Sequence, residues 1–271
     1  MNYTGMAMLH WIAASGWELR ISMFAAVLAL MLTLEQRLPR RREAPLRRLR
    51  WPANFGLALA GALVVRLLPL LAVGVAVRAQ QTGWGLFNQF QLPAAVSVII
   101  AWLLLDCAIY WQHRAMHALP LLWRLHRAHH SDIAFDVTTA LRFHPLEILL
   151  SMLYKMGVVL ALGAPLAAVI LFEIGLNAAA LFNHANLQLR GDHWLRWLLV
   201  TPDFHRVHHS LHREETDSNY GNVLSVWDFL FHSYTPQPRE GHVAMRLGLA
   251  EFRDDEQQTI TSLLLLPFRR K

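Results

Sequence analysis

The sequence predicts an all-α protein, an integral membrane helical bundle with a cytoplasmic helical cap that carries a histidine-rich di-metal site. Three observations predict it. Hydrophobic residues make up 55% of the 271 and charged residues only 16%, where soluble domains carry about 25%. Apolar stretches recur at the length of a helix. The phrase H-R-x-H-H-S is written twice, within LHRAHHS at 125–131 and FHRVHHS at 204–210.

Composition excludes several classes. Cys107 is the single cysteine, so there is no disulfide framework and no cysteine-ligated zinc module. The pI is about 10.1, but much of the basic excess sits in RLPRRREAPLRRLR, residues 37–50. Beside apolar stretches such a block marks a cytoplasmic loop, not a nucleic-acid surface.

Five apolar stretches follow in order, at 19–36, 53–77, 94–111, 146–162 and 165–182. A spanning helix needs roughly 20 mostly apolar residues. The first three reach or approach that length. The last two are shorter, contain Lys155 and Glu173, and are joined by Gly163-Ala164-Pro165, which reads as a hairpin that enters and returns. Arg66, inside the second stretch, reads as a snorkelling or paired side chain. The N-terminus lacks the basic start of a cleavable leader. The C-terminal LLLLPFRRK is too short to span and reads as an amphipathic end on the membrane. The domain reading is 1–93 for N-terminal helices and basic loop, 94–235 for the catalytic part, and 236–271 for a tail.

Placing the arginine loop in the cytoplasm orients the rest. The second stretch runs outward, the third returns, and the hairpin leaves and comes back. Every histidine cluster then falls at the cytoplasmic face: 113–130, 184 and 205–209. The Ala/Leu/Arg-rich composition, without an ER-retrieval signal, suggests a bacterial inner membrane.

There are fifteen histidines. His113 and His117 are spaced i, i+4, which puts both rings on one helical face. His126, His129 and His130 are spaced i, i+3, i+4, and His205, His208 and His209 repeat that pattern. His184 follows the hairpin, and His144 lies in RFHP. Neutral imidazole suits iron, copper, nickel and zinc. A set of nearby protonated rings would repel, whereas a bound cation requires them neutral. Nine imidazoles, His144 aside, fit two metals better than one, since a metal takes about four to six ligands. The clusters are nearly pure imidazole, which favours redox O2 chemistry over hydrolysis at bridging carboxylates.

Candidates to orient these ligands follow from helical phase. Asp106 precedes His113 by seven and His117 by eleven. Glu173, Asn177 and His184 share a face, with a plain interhelical bond as the alternative for the first two. Asp203 and Asp228 are further candidates, and Asp132 reads as a helix cap. Trp102, Trp111 and Trp123 either line a path for a lipid chain or belong to an interfacial belt.

HRAMH, LHRAHHS, RFHP, LFNHAN and PDFHRVHHS followed by NYGNVLSVWDFLF resemble the fatty acid hydroxylase superfamily in its sterol desaturase-like branch, over roughly 95–235. The resemblance implies a membrane di-iron oxygenase. Such an enzyme uses O2 and electrons from a redox partner to hydroxylate or desaturate unactivated C–H bonds of a bilayer lipid. It implies His113, His117, His126, His129, His130, His184, His205, His208 and His209 as ligands, with His144 matching the R-x-H-P histidine. Zinc is an alternative occupant as purified. Some relatives carry a second histidine at HxxxH spacing near His184. Here the run is NHANLQLR, and His144, an asparagine or water is left to fill the place. The chain holds no fused cytochrome b5 or ferredoxin-like segment, so the donor is expected to be a separate ferredoxin or cytochrome b5-like protein with its reductase. The rival readings are a histidine-rich metal carrier, which would show looser exposed tracts, and a haem electron carrier, which would pair histidines deep in the bilayer.

Overall fold

The computed structural model describes residues 3–42 and 46–269, with side chains from residue 18 onward. Part of the basic segment (43–45), the start of the N-terminal reading and the last two residues of the C-terminal run lie outside the described residues. Among the described residues the fold is all helical, and its only β contacts are isolated bridges.

Seven longer helices come first: α1 (Tyr3–Arg37), α2 (Arg47–Arg66), α3 (Ala72–Thr82), α4 (Ala94–Ala118), α5 (Pro120–His130), α6 (Pro145–Leu162) and α7 (Leu166–Asn183). Short helices follow: α8 (Asp192–Leu195), α9 (Pro202–His208), α10 (Arg213–Thr216), α11 (Val226–Leu230), α12 (Gly241–Ala244) and α13 (Ile260–Leu265). Among the described residues, α4, α6 and α7 are long and apolar enough to cross a membrane. The hairpin stretches are therefore each of spanning length.

The second apolar stretch is not one helix. It breaks at 67–71, where Pro69 lacks an amide donor and disfavours helix at Leu68. Both resulting helices pack along α6: Gly61 of α2 meets Ile148 near its start, and Gly85, in the loop after α3, meets Gly163 at its end. Arg66 ends α2 and is exposed, where a cation suits the helix C-terminus.

Prolines set the corners that place the histidines. Leu119 is extended at φ −98° and ψ 118°, and Pro120 starts α5 at once. The chain therefore turns sharply between the histidine pair of α4 and the histidine triad of α5. Thr201 caps α9 by accepting from the Phe204 amide, with Pro202 in the first turn. Gly163 closes α6 at φ +61°, a conformation a side chain would strain.

The main apolar core joins α3, α4, α6 and α7 around Ala76, Leu105, Val159 and Phe172. A polar core lies behind α5. Arg50, fully buried, forks onto Asp132 and donates to Asp136 at 2.8 Å. Arg142 donates to the Ala128 carbonyl, Ser131 and Gln258. Asp132 thus anchors an ion network and is not a helix cap. Burial pushes its pKa up, but Arg50 and Arg142 outweigh that and hold it at about 2. The capping residue is Asp136, which accepts from Thr138 at the 3-10 turn Val137–Leu141.

The tail packs back on the histidine helices. Arg127 of α5 donates to the carbonyls of Leu266 and Arg269, and Arg124 to that of Pro267. The stretch Ile260–Phe268 exposes Leu265 and Phe268 on its outer side.

Candidate metal centre

Nine buried histidines converge and sort into two groups. One holds His113, His117, His126, His130 and His208; the other holds His129, His184, His205 and His209. Within each group one nitrogen per ring lies within 4.8 Å of all the others. The groups adjoin, since His130 stacks on His209 with ring centroids 4.5 Å apart.

Hydrogen bonds on the far side of the rings fix their tautomers. His113 Nδ1 donates to the Tyr220 carbonyl at 2.7 Å, His208 Nδ1 to the Ser218 carbonyl at 2.7 Å, and His117 Nδ1 to Asp217 at 3.2 Å. His126 Nδ1 donates to Glu147 at 2.6 Å, and His184 Nδ1 to the Ala180 carbonyl at 2.8 Å. These partners can only accept, so each neutral ring turns a bare Nε2 lone pair inward.

Those lone pairs face one another. His126 Nε2 lies 3.1 Å from His113 Nε2 and 3.2 Å from His130 Nε2. His184 Nε2 lies 3.1 Å from both His129 Nε2 and His205 Nε2. Nitrogens bound at about 2.1 Å to one metal stand about 3.0–3.4 Å apart across the edge of its polyhedron. The Nε2 atoms of His117, His208 and His209 are buried without a protein partner. Converging neutral lone pairs of one donor type, with orphaned nitrogens among them, fit a pair of transition-metal ions.

Electrostatics agree. Burial pushes His129, His130, His205 and His209 well below the usual imidazole range, and neighbouring rings lower them further. Burial takes His184 to about 4 and His208 to about 3, against their carbonyl partners. These six rings are therefore neutral at neutral pH, the state in which an imidazole can bind a metal.

The expected orienting groups pair differently. Asp106 accepts from the Leu224 amide at 3.2 Å and Trp227 Nε1 at 2.8 Å. Glu173 binds Lys155 at 2.6 Å and Arg20 at 3.0 Å, and Asn177 donates to the Glu173 carbonyl. Asp203 pairs with Arg206 and lies 3.2 Å from Arg40. Asp228 accepts from the amides of Tyr220 and Gly221, both at 2.7 Å. Among the described residues none of these five bonds to one of the nine histidines. Helical phase gave the right face but not what packs on it. Asp228 acts one step removed, because it fixes the loop whose Tyr220 carbonyl holds His113. A Cβ on Gly221 would stand 2.8 Å from Asp228 Oδ2, so that loop needs glycine there.

His144 belongs to neither group. Its Nδ1 accepts from the Leu146 amide at 3.2 Å and caps α6, and its Nε2 donates to the Leu264 carbonyl at 3.1 Å.

The residues that hold the rings are Glu147, Ala180, Asp217, Ser218 and Tyr220, which sequence reasoning missed. Three of them sit in the single loop 217–220, whose last residue opens the YGN run. The signal available was that short polar loop soon after the second histidine triad. Two of its three contacts come from main-chain carbonyls, which no residue type announces.

A cavity of about 670 Å³ runs from the rings into the bundle. His113, His126, His129, His184 and His205 form one end, and Phe24, Met116, Phe143, Leu176 and Leu181 line its walls. Phe55 and Leu59 of α2 border it and are 41% and 62% exposed, marking a lateral mouth. Gln112, Ser151, Asn177 and Asn222 are its polar points besides Glu147 and the histidines. Trp102, Trp111 and Trp123 do not line it. Trp102 packs on Phe172, Trp111 on Phe231, and Trp123 beside His117 and His130.

The chain matches the fatty acid hydroxylase family over residues 98–233, half of its length. It is 29% identical to an alkylglycerol monooxygenase of Xenopus tropicalis over 68% of this chain and 41% of that one. It is 30% identical to the human alkylglycerol monooxygenase over 56% of this chain and 34% of that one. It is 32% identical to the ornithine lipid hydroxylase OlsE of Rhizobium tropici over 55% of this chain and 45% of that one. The chain spans about two fifths of the length of the first of these relatives. No solved structure matches it.

Proposed function

The chain belongs to the fatty acid hydroxylase family, and from that premise we propose that it is a membrane-bound, O2-dependent di-iron oxygenase that hydroxylates an alkyl or acyl chain of a lipid. The observation that carries this reading is the placement of the two histidine groups at the end of an apolar cavity. A carrier has no use for an apolar cavity beside its metal, and a haem carrier has no use for nine clustered rings. Hydroxylation is favoured over desaturation because the relatives named above are a monooxygenase and a hydroxylase.

His113, His117, His126, His130 and His208 would hold one iron, and His129, His184, His205 and His209 the other. When bound, such a pair supplies O2 activation and an oxidant for an unactivated C–H bond. The protein's own residues do the rest. Phe143, Met116 and Leu181 exclude water and guide a hydrocarbon chain to the rings. Glu147, Asp217 and the carbonyls of Ser218, Tyr220 and Ala180 keep Nδ1 protonated on five rings. That keeps Nε2 free as ligand. The lateral mouth at Leu59 admits substrate from the bilayer. Electrons come from a separate ferredoxin or cytochrome b5-like protein with its reductase. The site faces the cytoplasm of a bacterial inner membrane, following the arginine-rich loop.

The test is incubation of the iron-loaded chain with a donor system, O2 and bacterial polar lipids, with products read by mass spectrometry. A gain of one oxygen in a lipid chain, absent without O2, is expected. No oxygenated or desaturated product from any lipid class would contradict the reading.

A further inference from the structure

A second cavity, of about 820 Å³, lies outside the histidine site and is lined by Arg37, Arg40, Arg41, Arg42, Arg190 and Gln188. We propose that it binds a phosphate-bearing group, presented by the headgroup of an anionic bilayer lipid. This site does not depend on the oxygenase reading.

The pocket is built, not a chance meeting of flexible side chains. Helices α1 and α7 run in the same direction, with Arg20 against Glu173 and Glu35 accepting from the Asn186 amide. They end together, and the segments after them pair. The Gln188 amide donates to the Leu38 carbonyl and the Arg40 amide to the Asn186 carbonyl, each at 3.0 Å. The Asn186 side chain clamps Arg41 from both sides, accepting from its amide at 3.0 Å and donating to its carbonyl at 2.7 Å. Arg41 also donates to the Met245 carbonyl at 2.7 Å. Among the described residues, Asp203 lies 3.2 Å from Arg40 and also pairs with Arg206. Five arginines thus line one concave surface from two stretches about 150 residues apart, with the Arg41 guanidinium anchored on the Met245 carbonyl.

Guanidinium forks suit phosphate. Depth argues for a lipid as its bearer. The pocket begins at Arg37, the last residue of α1, and at the close of the spanning helix α7, which puts it at headgroup level. Trp194 and Trp197, which follow Arg190, are 76% and 62% exposed, as interfacial tryptophans are. The volume exceeds what a free phosphate fills and leaves room for a glycerol headgroup.

The test uses the full chain in neutral detergent, titrated with short-chain phosphatidylglycerol, phosphatidylcholine or inorganic phosphate, with bound ligand counted by native mass spectrometry. Phosphatidylglycerol is expected to bind about tenfold or more tighter than phosphatidylcholine. R37Q/R190Q should abolish that preference, and R66Q/R78Q, which removes equal charge elsewhere, should keep it. Unchanged metal content in R37Q/R190Q separates loss of the site from loss of the fold. Inorganic phosphate binding as tightly as the lipid would make the source a free anion and overturn the headgroup assignment. Equal binding of both lipids to the unaltered chain would overturn the site itself. So would arginine-dependent capture of an acidic ferredoxin without any lipid preference.

Discussion

In the first copy of H-R-x-H-H-S, His126 and His130 join the five-histidine group while His129 crosses to the four. In the second copy, His205 and His209 join the four while His208 crosses to the five. The spacing explains the split. At about 100° per residue, i and i+4 lie about 40° apart, and i+3 falls on the other side of i. Each short helix therefore stands between two centres and feeds both. The arginines differ. Arg127 clasps the tail carbonyls, whereas Arg206 pairs with Asp203 and lies over the Phe135 ring. The serines differ too, for Ser131 joins the Arg142 network and Ser210 accepts from the His212 amide. Histidine spacing is what the two copies share, and the other positions are used locally.

The crossing histidines offer the largest effect. His129→Ala and His208→Ala should each lower turnover by more than about 100-fold while leaving membrane insertion intact. Normal turnover in either would break the crossed assignment. The arginines come next. Arg206→Ala breaks a buried ion pair, leaves Asp203 with Arg40 as its charged partner and should cost about 3–5 kcal/mol of unfolding free energy. Arg127→Ala loses bonds to neutral carbonyls and should cost about 1.5–3 kcal/mol. Denaturant unfolding in detergent would show the ranking, and the reverse order would contradict it.

The orienting groups sharpen the comparison further. Glu147→Gln should weaken metal binding by about 10–100-fold in a chelator competition. Asp106→Asn, whose partners are Leu224 and Trp227, should leave it unchanged. Equal losses would restore Asp106 as an orienting group.

Acid acts through the rings of both copies. His184 titrates at about 4 and His208 at about 3 in the folded chain, below the usual imidazole value. The unfolded chain therefore takes up protons first as pH falls below about 6.5. Stability of the metal-free chain is full above that pH, declines as pH falls from about 6.5 towards these folded values, and levels off below them. Thermal melts in chelator across pH 7 to 4 would read it, and a flat profile would mean that the rings are not buried. The smallest effect belongs to the serines. Ser131→Ala should cost about 0.5–1.5 kcal/mol, and Ser210→Ala less, because its bond is only part-buried.

The nine converging histidines were legible because helical spacing alone places them on shared faces. The all-helical fold was legible for the same reason. The groups that hold the rings were not. Glu147 meets His126 from the next helix, and Tyr220 and Ser218 act through carbonyls that any residue carries. His144 looked like a ligand but caps α6, because a histidine before proline at a helix start serves the backbone equally well. The break at Pro69 was visible as a residue, yet the apolar run on both sides hid it. The ion network of Arg50 and Asp132 joins positions 82 residues apart, and no local pattern announces it.

The central claim is that nine histidines make two metal centres with crossed membership. The most direct measurement is metal content per chain, by elemental analysis of protein purified in mild detergent from iron-supplied cells. The account predicts two metals per chain, falling sharply in both His129→Ala and His208→Ala and unchanged in His144→Ala. One metal or none, indifferent to the crossing histidines, would contradict it.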